Sequence, residues 1–365
     1  MVVEPKMFDK IGTMSLALQD VLPAAASPVA TKSEAVPDRL RIGGRTVSLS
    51  PVFETYWRFA AERQATYLRR LAGGSGPWTS DPVLRAHRFT NCYRASDRVS
   101  QYLIRHVIYD GEPSPNEVVF RILLFKIFNK VETWESLRSA LGELRWRDFD
   151  ADRYAGVLRD VVASGRAVYS AAYVMPSPHL GYERKYRNHL ALLERMMRDG
   201  VVRKLERSAS MREAFEVLRA YQGLGDFLAF QYIIDINYSE VLDFDEMSFV
   251  VAGPGARSGI RKVFGASAVG AEMSLIRHMA DEQERYFDAL GLHFDGLVGR
   301  PLQLIDCQNL FCEVDKYARV VHPLVAGGTS RHRIKQRYAP APARPEPALF
   351  PPKWNTRVPV LDFDV

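Results

Sequence analysis

The segment Leu218-Arg219-Ala220-Tyr221-Gln222-Gly223-Leu224-Gly225-Asp226-Phe227-Leu228-Ala229-Phe230-Gln231-Tyr232-Ile233 decides how this chain is read. Apolar residues at helical spacing run into Gly223-Leu224-Gly225, helical spacing resumes at Asp226, and a small residue, Ala229, follows four positions after the second glycine. The glycines permit a tight turn and a close approach of backbone to a ligand. Leu224 is expected to point inward and pin the turn. The first turn of the following helix leaves N–H groups unpaired, which suits a phosphate oxygen. A plain turn between two core helices is the competing reading. The second helix, Asp226–Ile236, is apolar nearly all round and belongs in the interior. Gln231 and Asp235 sit at i and i+4 on it. Buried there, they must be hydrogen-bonded, as tethers for neighbouring loops or as substrate contacts.

The same helical spacing recurs at 51–72, 91–109, 115–130, 132–141, 150–164, 183–200, 210–222, 226–237, 258–264, 266–290 and 306–321. Strand-like alternation is scarce, so the fold class is mainly α. Three regions follow: a flexible N-terminal arm over 1–47 with a short strand or turn near Leu40–Val47, a helical domain of one or two lobes over 48–322, and a basic, proline-rich tail over 323–365. In 365 residues, 47% are hydrophobic and 25% charged, which is ordinary globular composition and excludes a disordered or fibrous chain. The longest apolar run, Val118–Phe128, is interrupted by Arg121 and Lys126 and is too short to cross a membrane. The three cysteines form no C-x-x-C pair and no two histidines stand at i, i+4, so neither a disulfide framework nor a metal site is expected. That balance suits a reducing compartment, cytoplasmic or with DNA in a nucleoid or nucleus, and not secretion. The net charge of +6 permits an anionic partner without demanding one.

Three further constellations stand out. Gly253-Pro254-Gly255 opens a helix, and Arg257, Arg261 and Lys262 follow it; backbone N–H groups and cations together suit phosphate or pyrophosphate, with a solvated basic turn as the plain alternative. Arg94, Asp97, Arg98 and Gln101 fall at i, i+3, i+4 and i+7, one stripe if the segment is one helix. In 306–321, Leu310, Phe311, Val314, Tyr317, Ala318 and Val321 form a core face, while Gln308, Cys312, Asp315, Lys316 and Arg319 line the other. Asp306 is expected to cap that helix. A charge-laced solvent face is the default reading of both helices. Cys312 has no neighbour in sequence that would make it a nucleophile.

The Gly223–Gly225 hairpin resembles the helix-hairpin-helix element with which many DNA-repair proteins hold one strand's backbone. Helix-hairpin-helix DNA glycosylases place an essential aspartate about twenty residues beyond the second glycine; counting from Gly225 reaches Asp245, with Asp243 and Glu246 beside it. Five segments then resemble a single family: Trp57–Gln64, Phe89–Arg98, Gly223–Gln231, Val251–Ala256 and Asp306–Tyr317. Across roughly residues 50–322 the chain is similar to the α-glutamyl/putrescinyl thymine pyrophosphorylase family, which includes the helical domain attached to 5-hydroxymethyluracil DNA kinases.

The resemblance implies a glycosylase-like helical domain that binds DNA, flips a base and hypermodifies thymine. Its reaction would replace the pyrophosphate of a 5-(pyrophosphoryloxymethyl)uracil base with an amine, an amino acid or a polyamine, without a cofactor. Asp245, with Asp243 and Asp235 as alternatives, is then the expected catalytic carboxylate. Gly223, Gly225, Gly253, Gly255, Arg257, Arg261 and Lys262 are expected to hold phosphates. Asn91, Arg94, Asp97, Arg98, Gln101, Gln231, Asn237, Tyr238, Gln308, Asn309, Asp315 and Lys316 are expected to form the base and pyrophosphate pocket. No Walker A motif occurs in the chain, so the expected partners are DNA, a small amine and a separate DNA-base kinase. A DNA glycosylase or lyase acting on a modified base, a non-catalytic reader of modified thymine, and a helical scaffold that does not bind DNA are the other readings.

Overall fold

The computed structural model describes residues 36–356 apart from 74–75, 173, 298, 330 and 340–345. Most of the expected N-terminal arm and the tail beyond 356 lie outside the described residues. The strand or turn expected near Leu40–Val47 is a hairpin: β1, Arg39–Ile42, pairs antiparallel with β2, Arg45–Ser48, with Leu40 opposite Val47. Gly43 and Gly44 form its turn, both with positive φ, as a two-residue hairpin turn requires. Leu40, Ile42 and Val47 are buried, so the hairpin, which falls within the expected arm, packs into the core.

The remaining elements are helical, as the apolar spacing predicts. They are α1 Val52–Leu71, α2 Pro82–Ala86, α3 Arg98–Tyr102, α4 Pro115–Phe128, α5 Val131–Leu141, α6 Ala151–Ala163 and α7 Lys185–Arg198. Then come α8 Val201–Glu206, α9 Met211–Arg219, α10 Asp226–Asn237, α11 Pro254–Phe264, α12 Glu272–Asp281, α13 Gln283–Ala289 and α14 Leu304–Val321. Local chemistry sets many of the starts. Asp150 and Ser210 cap α6 and α9 through their side-chain oxygens, and Pro115 and Pro254 stand in the first turns of α4 and α11.

Two helices form the interior. Every residue of α4 from Glu117 to Phe128 is buried, and so is every residue of α10 from Leu228 to Asn237. They pack on each other, with α5, α7 and α8 against α4 and α9 against α10. A second packing group joins the two ends of the chain: α1, α11 and α12 lie against α14. Charged residues inside α4 need internal partners. Arg121 finds them in backbone carbonyls, donating from Nε to Val107 (2.7 Å), from Nη2 to Ile108 (3.1 Å) and from Nη1 to Glu112 (2.9 Å). It thereby satisfies the end of the wide helical turn, Leu103–Ile108, that continues α3.

Four expectations change. The segment 91–109 is not one helix, because Asp97 is extended (ψ 147°) between a short turn, Arg94–Ser96, and α3. The segment 266–290 is not one helix: a short turn, Ala266–Ala268, and Gly270 precede α12, and Glu282 separates α12 from α13. α14 begins at Leu304 with Gln303 as its cap, and Asp306 is the reciprocal member of that capping box, not the cap. Val321 is 42% exposed and leaves the expected core face.

The α11–α14 crossing has no room for side chains. A Cβ on Gly255 would lie 2.4 Å from Cys312 Sγ, and one on Gly259 would lie 1.9 Å from the Phe311 carbonyl oxygen. Gly259→Ala is therefore expected to cost at least about 2 kcal/mol, because backbone must move to admit the methyl. Gly156→Ala, inside α6 with nothing within 4 Å of the new methyl, should gain about 0.5–1 kcal/mol from helix propensity. Urea unfolding of the two variants measures both.

Candidate functional site

Where the two packing groups meet, the loop Thr90–Asp97 brings a polar side chain inward. Arg94, 4% exposed, points into the interior. Its Nη1 lies 2.5 Å from Asp235 Oδ1 on α10, and its Nε donates to Gln231 Oε1 at 3.0 Å. Lys126 of α4 closes the cluster, with Nζ 2.9 Å from Asp235 Oδ2 and 3.2 Å from Asn129 Oδ1. The Arg94 backbone N–H donates to Asp306 Oδ1 (2.8 Å), and its guanidinium lies over the Tyr238 ring at 5.6 Å. Burial by itself would raise the Asp235 pKa, but Arg94 and Lys126 outweigh it and hold the carboxyl below the usual range. Lys126 is lowered, by burial first, with Asp235 opposing that shift. Arg94, Gln231 and Asp235 of the expected pocket and catalytic set thus converge, but in a closed ionic cluster with no open face.

Outward from this cluster lie two carboxyls of a different kind. Asp97 accepts from the Asn91 N–H at 2.7 Å, while Asn91 itself is held by Arg63 and by the Ser96 carbonyl. Burial pushes Asp97 up to about 7, against the opposing Asn91 N–H and Arg63. Glu246, 5% exposed, pairs with Arg300 (Nη2 to Oε1, 3.0 Å) and is likewise pushed up to about 7 by burial, which Arg300 only partly offsets. Asn237 clamps the loop that carries Glu246, donating to Phe244 O (3.0 Å) and accepting from Phe244 N (2.9 Å). Tyr238, at the end of α10, is buried with the Arg94 guanidinium over its ring.

Asp243 and Asp245 take no part in this interior. Both are exposed; Asp245 caps its own turn by accepting from Met247 N (2.9 Å), and the Asp243 side chain is 89% exposed beside Lys353. Of the three neighbouring carboxylates, the loop turns only Glu246 inward. Periodicity could not reveal this, because the segment has no regular element. Lys126 did leave a signal in the sequence, as a cation inside an apolar run.

The hairpin has the expected shape. Gly223 has φ +89°, Leu224 is 2% exposed, and Gly225 precedes α10 in the extended conformation. Asp226, in the first turn of α10, would repel a phosphate, but Arg219 Nε lies 2.5 Å from it. The second glycine loop is otherwise employed. A Cβ on Gly253 would meet the Phe227 ring at 2.7 Å, and Gly255 faces Cys312, so both permit close packing. Lys262 is buried against Asp315 (3.2 Å), which also accepts from Ser258 (2.7 Å) and Arg319 (2.5 Å). Lys262 and Asp315 therefore tie α11 to α14 in the interior. Arg257 is exposed and Arg261 half-buried.

The expected Arg94–Gln101 stripe dissolves with the break at Asp97: Arg94 is interior, Arg98 exposed, and Gln101 bonds the Leu349 backbone. On α14, Gln308 is buried and donates to Asn309 Oδ1 (3.3 Å), while Lys316 Nζ bridges Glu313 (2.6 Å) and the Arg88 carbonyl (2.7 Å). Among the described residues no cluster of histidine, cysteine and carboxylate ligands suits a metal, and no helix is long and apolar enough to cross a membrane.

Residues 50–327 match the family model of the helical domain of 5-hmdU DNA kinases. A 5-hmdU DNA kinase of Bacillus phage SP10 is 24% identical over 305 residues, covering 77% of this chain and 47% of that protein. The chain thus spans about half the length of this curated relative. No solved structure matches.

Removing the shared anion strands two buried cations, so Asp235→Ala is expected to cost about 3–5 kcal/mol in urea unfolding. The raised carboxyls act in the opposite sense to Asp235. Asp97 and Glu246 bind protons more tightly folded than unfolded, so their stabilisation is present below about pH 4 and is lost as pH rises toward about 7. Glu246→Gln should remove its share of that slope in unfolding curves collected between these limits.

Proposed function

Because the chain belongs to the family of the 5-hmdU DNA kinase helical domain, we propose that it modifies a thymine-derived base in DNA by replacing a 5-methylene pyrophosphate with an amine. The family match over 50–327 is the observation that carries the DNA-base reading. The hairpin at Gly223–Gly225, with its backbone exposed at the start of α10, supports a grip on one DNA strand. The finer chemistry rests on the carboxyls. In the proposed step the amine nitrogen attacks the 5-methylene carbon, the carbon–oxygen bond breaks, and pyrophosphate leaves with the electron pair. The nitrogen must lose a proton, and a carboxylate with a pKa near the working pH suits that transfer.

Glu246 fits the role better than Asp245 or Asp243. It is buried, paired with a cation, and pushed up to about 7. Asp235 is paired with both Arg94 and Lys126, which hold its carboxyl below the usual range, and it suits a role in keeping Arg94 in place. Developing negative charge on the departing pyrophosphate calls for cations at an open surface, where Arg98 and Arg257 are exposed. The pyrophosphorylated base would be supplied by a separate kinase activity.

Incubation with duplex DNA carrying pyrophosphorylated hydroxymethyluracil and mixed amines, followed by digestion to nucleosides and mass spectrometry, tests the proposal. A nucleoside carrying the amine in an intact strand is expected. An abasic site would replace the reading with glycosylase chemistry, and unchanged nucleosides would leave only a reader of modified DNA. Glu246→Gln should lower turnover by about 10²–10⁴-fold and remove a rise in rate toward pH 7. Asp245→Asn should cost far less; the reverse order would return the role to Asp245.

A further inference from the structure

The described tail lies along the molecule and is fastened at both ends. Residues 346–356 run between the 98–108 segment and the loop 238–246. On one wall, the Gln101 side chain donates to Leu349 O (3.0 Å) and accepts from Leu349 N (2.8 Å), so a single amide holds the strap backbone as a strand would. Arg105 Nε lies 3.0 Å from Glu346 and also bonds the Pro347 carbonyl. On the other wall, Lys353 Nζ donates to Ser239 O (3.0 Å) and to Leu242 O. Between these fastenings Phe350 is buried.

Trp354 sits where the strap crosses the candidate site. The Arg300 guanidinium lies 3.9 Å from its ring centroid. Tyr238 meets the indole edge-on at 5.5 Å and 86°, and Phe350 lies nearly parallel to it at 6.0 Å and 15°. Arg300 is the cation paired with Glu246, and Tyr238 carries Arg94 over its ring. A flat ring stacked on a guanidinium and flanked by tyrosine is the arrangement by which proteins hold an unstacked base. An indole offers the same shape and π-face as a nucleobase, and here it occupies that shelf beside the proposed proton acceptor.

We infer that the strap 346–356 is an intramolecular occupant of the base subsite: Trp354 fills the Arg300–Tyr238 shelf until an extruded nucleobase displaces it. The inference rests on the DNA-base reading above and adds its recognition surface and its control. A closed strap weakens apparent binding in proportion to the time it spends closed, so a strap closed nine-tenths of the time imposes about a tenfold loss. Arg300 would exchange one aromatic ring for another, keeping its Glu246 pair throughout.

Anisotropy of a labelled duplex carrying one 5-hydroxymethyluracil, at low salt, separates the outcomes for the full chain, Trp354→Ala, Gln101→Ala and a chain ending at residue 345. Tighter binding by about tenfold is expected in Trp354→Ala and in the shortened chain. Gln101→Ala loosens the strap from a distance and should move in the same direction, which keeps the test valid if the shortened chain fails to fold. Adding Arg300→Ala to Trp354→Ala should cancel the gain. Equal affinity of all chains would overturn the strap and leave DNA binding standing. Weaker binding without the strap would make it part of the DNA surface and also overturn the inference. Absence of binding by every chain would overturn the DNA-base reading and the strap with it.

Discussion

Asp235 shares its two oxygens between Arg94 and Lys126, and the meeting of the two helix groups is organised around that sharing. Three charged groups at this depth are costly to bring out of water, and their mutual attraction must offset that desolvation. The arrangement is consequently demanding: α4 brings Lys126, α10 brings Asp235 and Gln231, and the loop before α3 brings Arg94. None of the three elements can shift register without stranding a charge. The Arg94 backbone is also held by Asp306, so the start of α14 is fastened to the same point.

A rigid interior of this sort supports a mobile task at the surface. The loop after α10 is clamped by Asn237, and it turns Glu246 inward onto Arg300, the cation on which Trp354 of the strap lies. Two of the buried carboxyls around Arg94 therefore differ in kind. Asp235 has two cations and stays ionised, whereas Glu246 has one partly exposed cation and stands near neutrality. Two carboxyls whose environments push their pKa values apart can divide structure from chemistry. Trp354 of the strap lies on the cation paired with the second of them; Gln101 and Arg105 hold the strap backbone, Lys353 bonds carbonyls of the loop, and Phe350 is buried in the core.

The hairpin was legible because its information is local. Gly223 must adopt φ +89°, Leu224 alternates inward, and helical spacing resumes at once. The second glycine loop shows the limit of such reading. Gly253-Pro254-Gly255 with nearby cations looks like an anion cradle, yet Phe227 and Cys312 approach those glycines from elements distant in sequence. Lys262 and Asp315 likewise resemble surface charges on their own helices and become a buried pair only when α11 meets α14. The count of twenty residues beyond Gly225 led to Asp245, while the inward carboxylate is the next residue, Glu246. In a loop without periodicity, a displacement of one residue changes which side chain faces the interior.

By itself the sequence determined the helical class, most of the helix limits, the hairpin, the buried character of α10 and the family. All of these follow from spacing along one stretch of chain, where each residue's neighbours are known. Only the tertiary structure decided that Arg94 and Asp235 meet Lys126, that the acidic loop turns Glu246 and not Asp245 inward, and that Trp354 covers Arg300. Those partners are separated by tens to hundreds of residues, and their pKa values depend on burial that exists only after packing. Spacing selects which side chains share a face, but the element opposite that face decides whether a charge is a solvent contact, a structural anion or a group able to take up a proton.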